Sequence, residues 1–453
     1  MKLQTQMSSA AQPGESLVVE SLVLKELKPH SRNARIHTKH QIRQIAESIR
    51  AFGFTNPILI DSCNRIIAGH GRVEAAKILA MERVPTIRLE RLSEEQIRAY
   101  IIADNKLAEN AGWDRSILAI ELQHLIALDC DALDVTITGF QVPEIDLILE
   151  EAKGEPEPEE AIPDADLSRP PVTESGDVWQ LGKHSVICGN SLHDDTYRTL
   201  LGNRRAAVVF TDLPFNVKID GHATGNGAIH HREFPMASGE MSEVEFISFL
   251  TSSLKLLSRY SRTDCVQFIC MDWRHAGDLL AAGKQVYDSL LNVCIWVKNT
   301  GGMGSFYRSR HEFVFVFRNG KGTHRNNIQL GQYGRNRTNV WEYPSINSSS
   351  KSGDEGNLLA LHPTVKPVAL VADALLDCSA RGNVVLDAFL GSGSTLIAAE
   401  RTGRICYGIE LDPLYVDTAI RRWQRHTGDH AVHVDSGKRF DDIASECLEV
   451  ARG

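Results

Sequence analysis

Four consecutive residues, Asp212, Leu213, Pro214 and Phe215, bring an acid, a rigid turn and an aromatic ring into one short loop. They follow the apolar run Ala207 to Thr211, which reads as a buried strand, so they fall at its carboxyl end, the edge where open α/β sheets place their ligands. This set suits the handling of a base amine. The exocyclic nitrogen of adenine or cytosine is a poor nucleophile because its lone pair is delocalised into the ring. Two acceptors for its hydrogens would localise that pair toward an electrophile while the ring stacks on an aromatic face. Asp212 would supply one acceptor, the Leu213 carbonyl the other, and Phe215 the stacking surface. Taken alone, the tetrapeptide reads more simply as an Asp-initiated turn beside a core phenylalanine.

A second constellation, NVVLDAFLGSGSTLIAAERTGRICYGIEL over residues 383–411, reads as strand, glycine loop, helix, strand and acid. Gly391 and Gly393 permit a tight turn, Gly403 closes the helix, and Glu410 ends the second strand, where a carboxylate accepts both hydroxyls of a ribose. Ser394, Thr395 and Leu396 follow Gly393, so the third glycine of a dinucleotide loop is missing. A ribose-binding acid without a pyrophosphate loop favours S-adenosylmethionine over a nicotinamide cofactor.

The elements that must hold these residues lie in a chain of 453 residues, a length that suggests two or three domains. Hydrophobic residues at 42% and charged residues at 24% fit a globular protein and exclude a disordered or collagen-like one. No apolar run approaches the length of a membrane helix and the first residues lack a secretory core, so a cytoplasmic location is expected. Nine scattered cysteines, without a CxxC pair, read as reduced thiols, and no metal site is expected. The histidine- and glycine-rich segment 220–232 reads as an active-site flap rather than a metal site.

The boundaries read as a flexible tail over 1–16, a first domain over 17–149 and an acidic, proline-rich linker over 150–177. A catalytic domain over 178–430 and a C-terminal tail over 431–453 complete the chain. In the first domain, HQIRQIAESIRAFG predicts a helix closed by Gly53, and Ser93 with Gln96 predicts a capping box. Gly69, Gly71 and Arg72 stand at a strand-to-helix turn that suits a phosphate. Net charge is −9, yet residues 298–340 carry eight basic residues against one acid, Glu312. That island, with Arg308, Arg310, Arg325, Arg335 and Arg337, predicts a face that meets DNA phosphates.

GDVWQLGKHSVICGNSL, TDLPFNV, HPTVKP, VLDAFLGSGSTLIAAERTGR and YGIELDP together resemble the amino-group DNA methyltransferases in their β motif order, over about residues 176–426. The resemblance implies an α/β fold, a Rossmann-like S-adenosylmethionine-dependent methyltransferase domain, preceded by a smaller α+β domain. It assigns catalysis to Asp212, Leu213, Pro214 and Phe215, and the cofactor to Asp387, Phe389, Gly391, Gly393 and Glu410. His362, Thr364 and Lys366 would close over the methionine end, and target recognition would fall at about 298–345. It further implies methyl transfer to a flipped base in double-stranded DNA, with adenine N6 favoured because an acid at the first tetrapeptide position accompanies adenine more often. Cytosine N4, or a catalytically weakened DNA-binding accessory, stands as the alternative. Leu213 and Ala388 occupy positions where the family usually has proline, and Asn190 one where an acid is common. Leu213 is therefore expected to leave its loop less restrained.

NARIHTKHQIRQIAESIRAFGFTNPILI, RIIAGHGRVEAAKILAMERVPTI and ADNKLAENAGWD resemble the ParB-like domain over about residues 20–115. That likeness implies a nucleoside triphosphate at Gly69, Gly71 and Arg72, although the partition members of the family usually carry an acid and two arginines where this chain has His70, Gly71 and Arg72. A homodimer is compatible with both resemblances.

Overall fold

The computed structural model describes residues 17–31, 33–128, 134–153, 170–217, 237, 239–299, 301, 306–344 and 365–450. They form two compact units, 1–141 and 142–453, each with its own core. In the first, strands β1 (Val19–Val23), β2 (Ile58–Ile60), β3 (Ile66–Ala68) and β4 (Arg83–Arg88) form a sheet in the order β1-β4-β2-β3. Successive residues of β3 serve opposite faces, as strand geometry requires: Ile66 joins the cluster with Val73 and Ala76, and Ile67 packs with Ile97 and Ile101. Helix Lys39–Phe52 is capped by Thr38, whose side chain accepts from the Gln41 N–H, and ends at Gly53 with φ 79°. Helix Glu94–Asn110 begins with the expected capping box.

The second unit is built on β5 (Val178–Leu181), β6 (His184–Cys188), β7 (Ala206–Asp212), β8 (Ser261–Met271), β9 (Ser289–Val297), β10 (His311–Arg318), β11 (Val340–Glu342), β12 (Val384–Asp387), β13 (Ile405–Glu410) and β14 (Val432–His433). Among the described residues these strands make one sheet in the order β11-β9-β10-β8-β7-β12-β13-β6-β5-β14. Its centre is parallel from β8 through β7, β12 and β13 to β6, and β10 runs antiparallel between β8 and β9. Alternate residues feed two layers of helices. Val208, Phe210 and Val385 pack with Val371, Ile420 and Trp423 on one face, and Val209, Leu386 and Ile409 with Phe246, Leu254 and Leu279 on the other. The unit is thus a helix–sheet–helix sandwich of Rossmann-like construction.

Four expectations give way here. Helix Val142–Ala152, expected to close the first domain, belongs to the second unit, because its buried Asp146 is paired with Arg404 at 2.9 Å and with Arg381 at 3.0 Å. Residues 170–177, expected as linker, include Val172 and Thr173, whose N–H groups donate to the Asp417 carboxylate at 2.9 and 3.1 Å. Residues 154–169 lie outside the described set, as does the segment read as a flap. The C-terminal stretch is no tail: β14 pairs with β5, and Phe440 lies buried with its ring edge-on to Trp179 at 5.2 Å. Finally, the stretch expected to recognise the target contains β10 and β11, so part of it belongs to the main sheet. Among the described residues, no helix is long and apolar enough to cross a membrane.

Arg404 has a fully buried side chain and donates to Asp146, Thr402 and Ser379. Removing the carboxylate from that set would leave an uncompensated buried cation. Asp146→Ala is expected to destabilise the second unit by about 3–5 kcal/mol, and urea unfolding of the full chain followed by tryptophan fluorescence measures the loss.

Candidate active site

β7 and β12 lie side by side, yet the chain leaves them in opposite directions. From β12 it crosses through helix Ser394–Thr402 to β13, and from β7 through helix Glu243–Arg259 to β8. The strand order reverses between them, which opens a crevice at their carboxyl ends. Asp212 and Asp387 end these two strands, and Thr211 joins them by donating its hydroxyl to Asp387 Oδ1 at 2.8 Å. The two constellations, with Thr211 and Asp387 lying 176 residues apart in sequence, therefore share one edge.

On the β12 side the glycines are required by geometry. Gly393 caps helix Ser394–Thr402 at φ 85°, and a Cβ there would stand 3.0 Å from that of Ala419. Asp387 is buried and accepts the Phe389 N–H at 3.1 Å; burial pushes its carboxyl above the usual range, against the hydrogen bonds of Thr395 and Thr211. Glu410 ends β13 and folds back over the glycine loop. Its Oε2 accepts the Gly391 N–H at 2.7 Å and its Oε1 the Asp412 N–H at 2.9 Å. Burial pushes Glu410 up to about 7, the Asp412 carboxylate adding to the effect and these N–H groups opposing it.

On the β7 side, Asp212 is held from one oxygen only. Lys366 Nζ stands 2.5 Å from Oδ2, while Oδ1 is buried and accepts no hydrogen bond among the described residues. Burial pushes Asp212 up to about 6; the Lys366 ammonium opposes this and the Glu312 carboxylate reinforces it. Pro214 and Phe215 are half-buried beside it, the Phe215 ring 5.6 Å from the same ammonium. Leu213 contributes more than a carbonyl, since its side chain is buried in the core with Val209 and Phe246. The proline usual in this place is thus replaced by a packing residue, which restrains the loop that the sequence leaves free.

Lys366 is the largest departure from expectation. Beyond its place in the segment that the resemblance assigns to the cofactor, its side chain is buried between Asp212 and Glu312, 3.0 Å from Glu312 Oε2. Lys298, which follows β9, pairs with the other oxygen of Glu312. His362 and Thr364 lie outside the described residues. Asn216 also escapes a sequence reading. It adopts a left-handed conformation, φ 52°, and its Oδ1 accepts the N–H groups of Gly239 and Met241 at 3.0 and 3.2 Å, fixing where the loop turns. An asparagine just past a strand end is the one signal that could have found it.

The basic island divides in two. Arg335 donates to Asp373 and Asp377 at 2.9 Å, and Arg337 to Asp373, Asp377 and the Tyr343 hydroxyl. Both guanidiniums are largely buried against helix Val368–Cys378, so the expected phosphate contact at these two positions is replaced by internal pairing. Arg308, Arg310 and Arg325 are exposed. Arg308 and Arg310 follow an exposed aromatic pair, Phe306 and Tyr307, in the connection from β9 to β10, which starts and ends beside the Lys298–Glu312 pair.

In the first unit, Gly69 caps helix His70–Ile78 with φ 102°, as a phosphate-binding turn would. Arg72, however, lays its guanidinium over Gly69 and donates to the carbonyls of Asn56 and Pro57 at 2.5 and 3.0 Å. Gly71 serves close packing: a Cβ there would stand 3.0 Å from Ile45 Cδ1. These residues tie the turn to its neighbours, with Arg72 engaged on backbone carbonyls.

Comparisons with known proteins match three stretches of the chain, one of which runs across the boundary between the two units. The family model described as DNA methylase matches residues 206–421, ParB N-terminal domain matches 8–105, and ParB-methyltransferase HTH domain matches 116–175. The chain is similar to the ParB-like nuclease domain-containing protein YnaK of Escherichia coli (strain K12), 51% identical over 82 residues that make up 18% of this chain and 94% of that protein. Type II methyltransferase M.ScaI of Streptomyces caespitosus is 35% identical over 95 residues, 21% of this chain and 31% of that protein, so the match spans less than a third of it. A DNA modification methylase of Thermus thermophilus, solved with S-adenosyl-L-methionine, aligns at a TM-score of 0.38 and 21% identity, covering 55% of this chain and 96% of that one. The chain thus carries a DNA methylase domain of the amino-group N6/N4 type, with a ParB-like domain on its N-terminal side.

Proposed function

We propose that the second unit transfers a methyl group from S-adenosylmethionine to the exocyclic amine of a base flipped out of double-stranded DNA, with adenine N6 as the acceptor. The observation that carries this reading is Asp212 Oδ1, a buried acceptor without a donor among the described residues at the carboxyl edge of β7, beside the crevice that Glu410 and the glycine loop line. A buried acceptor without a partner is costly unless a ligand completes it. An amine hydrogen completes it, and Phe215 lies next to it to stack on the base.

The cofactor, when bound, supplies a methyl carbon on a sulfonium, and the C–S electron pair returns to sulfur as the N–C bond forms. Glu410 suits its ribose: each carboxylate oxygen accepts one backbone N–H and keeps a lone pair for a hydroxyl. Asp212 accepts a hydrogen bond from the amine and so raises electron density on its nitrogen as that nitrogen attacks, and the proton lost from nitrogen passes to Oδ1 or to water. Arg308, Arg310 and Arg325 are among the basic residues exposed to meet phosphates. The acid at the head of the tetrapeptide supports adenine over cytosine, by the resemblance described above. A DNA substrate implies action in the compartment that holds the DNA.

Modified-base sequencing of DNA from a methylation-deficient host tests the assignment. The full chain should give N6-methyladenine at a defined site, and Asp212→Ala should bind cofactor but transfer methyl at least about 10²-fold more slowly. N4-methylcytosine would replace the adenine reading, and unmodified DNA would leave a binding accessory.

A pH dependence follows from Glu410. Its folded pKa is raised to about 7, so the unbound carboxyl is protonated below that value, and the ionised form is the better acceptor for two ribose hydroxyls. Affinity for S-adenosylmethionine should therefore fall with decreasing pH, by up to about tenfold per unit below 7. Glu410→Gln should bind weakly and lose that dependence in calorimetric titrations.

A further inference from the structure

The acceptor ends a row of four charged side chains drawn from four different segments. Lys298, just past β9, pairs with Glu312 on β10; Glu312 pairs with Lys366, which precedes helix Val368–Cys378; and Lys366 pairs with Asp212 at the end of β7. The signs alternate, and Glu312 and Lys366 are 8% and 4% exposed in their side chains. Trp296 closes the row from the side, with the two ammoniums 4.7 and 5.8 Å from its ring. Such a set is expensive to desolvate and gives no general advantage to folding over apolar packing. Its placement against one oxygen of the amine acceptor is what gives it a use.

Lys366 fixes the carboxylate plane by holding Oδ2, which leaves Oδ1 turned to the site. Alone with Asp212 it would also draw off the carboxylate's charge and weaken it as an acceptor. Glu312 shares Lys366, and Lys298 in turn balances Glu312. Among the described residues, the other titratable groups facing Asp212 are Asp387 on β12 and the Cys270 thiol on β8, which burial keeps neutral.

We propose that Lys366 is a positioning residue for methyl transfer, aiming the free oxygen of Asp212 at the base amine, and that Glu312, backed by Lys298, sets how much of the Lys366 charge reaches Asp212. This rests on the function proposed above. The arrangement ties acceptor strength to the carboxylate's own ionisation. Removing Lys366 takes away the cation beside Asp212 and leaves burial and Glu312, both of which favour the protonated acid. Removing the Glu312 charge does the reverse. A side chain that served only the stability of the fold would lower the rate at every pH and leave the titration where it was.

The experiment is the pH profile of single-turnover methyl transfer from tritiated S-adenosylmethionine to DNA by the full chain, between about pH 5 and 9, the range in which a buried, raised carboxyl titrates. Lys366→Met should move the acid limb up by at least about one pH unit, with activity partly recovered at the alkaline end. Glu312→Gln should move it down, and Lys366→Arg should return it to the wild-type position with a lower plateau. Equilibrium binding of the cofactor, measured alongside, shows each variant to be folded. Limbs that stay in place, or move in the same direction for Lys366→Met and Glu312→Gln, would overturn the inference while leaving the methyl-transfer reading intact. A wild-type chain that binds cofactor and transfers nothing would overturn both.

Discussion

The hydrogen bond from Thr211 to Asp387 marks the constraint on which the rest of the second unit depends: two parallel strands, neighbours in the sheet, whose chains depart to opposite sides. At such a junction the backbone groups at both strand ends are left without a covering helix, and whatever follows each strand must face the same opening. The glycine loop after β12 and the acid-bearing loop after β7 meet there for that reason alone. Their order along the chain does not enter, so a sequence with the catalytic loop first still builds the crevice.

Charge then governs how that opening is lined. Asp212, Asp387 and Glu410 are brought to one edge and largely out of water, and burial raises all three above the usual carboxylate range. Each is held by different means. Asp387 is satisfied by Thr211, Thr395 and the Phe389 N–H and acts as a brace; Glu410 rests on backbone N–H groups; Asp212 takes a buried ammonium. A cation placed against Asp387 or Glu410 would lower their proton affinity too, but it would occupy lone pairs that the brace or the cofactor needs. The buried lysine stands where one oxygen can be given up and the other kept.

Local pattern made much of this legible. Strand, glycine turn and helix are written in contiguous residues, since hydrophobic period and capping depend on neighbours within about four positions; the capping box at Ser93 and the closure at Gly403 appear where expected. What escaped depends on partners far off in sequence. Lys366 sits in a segment whose neighbours suggest the cofactor, and nothing local says that its ammonium meets a carboxylate 154 residues earlier. Phe440 lies in a stretch with weak periodicity because its packing partner, Trp179, belongs to a distant strand. Leu213 reads as a lost proline until the core that receives it is seen.

The basic island shows the same limit in its sharpest form. Counting charges along 298–340 treats every arginine and lysine as though it faced water, but helix Val368–Cys378, outside that window, carries Asp373 and Asp377 on the side where Arg335 and Arg337 arrive. Lys298 is drawn inward by Glu312, the one acid within the window. Two of the cations left exposed, Arg308 and Arg310, stand where β9 turns into β10, on the connection rooted in the charge row that ends at Asp212. Phosphate attraction would act on that connection and amine recognition at the other end of the row. Since the pairs between them are buried, they are screened little by salt, whereas the exposed arginines are screened strongly. Salt should thus weaken the approach of DNA far more than it alters the chemistry that follows.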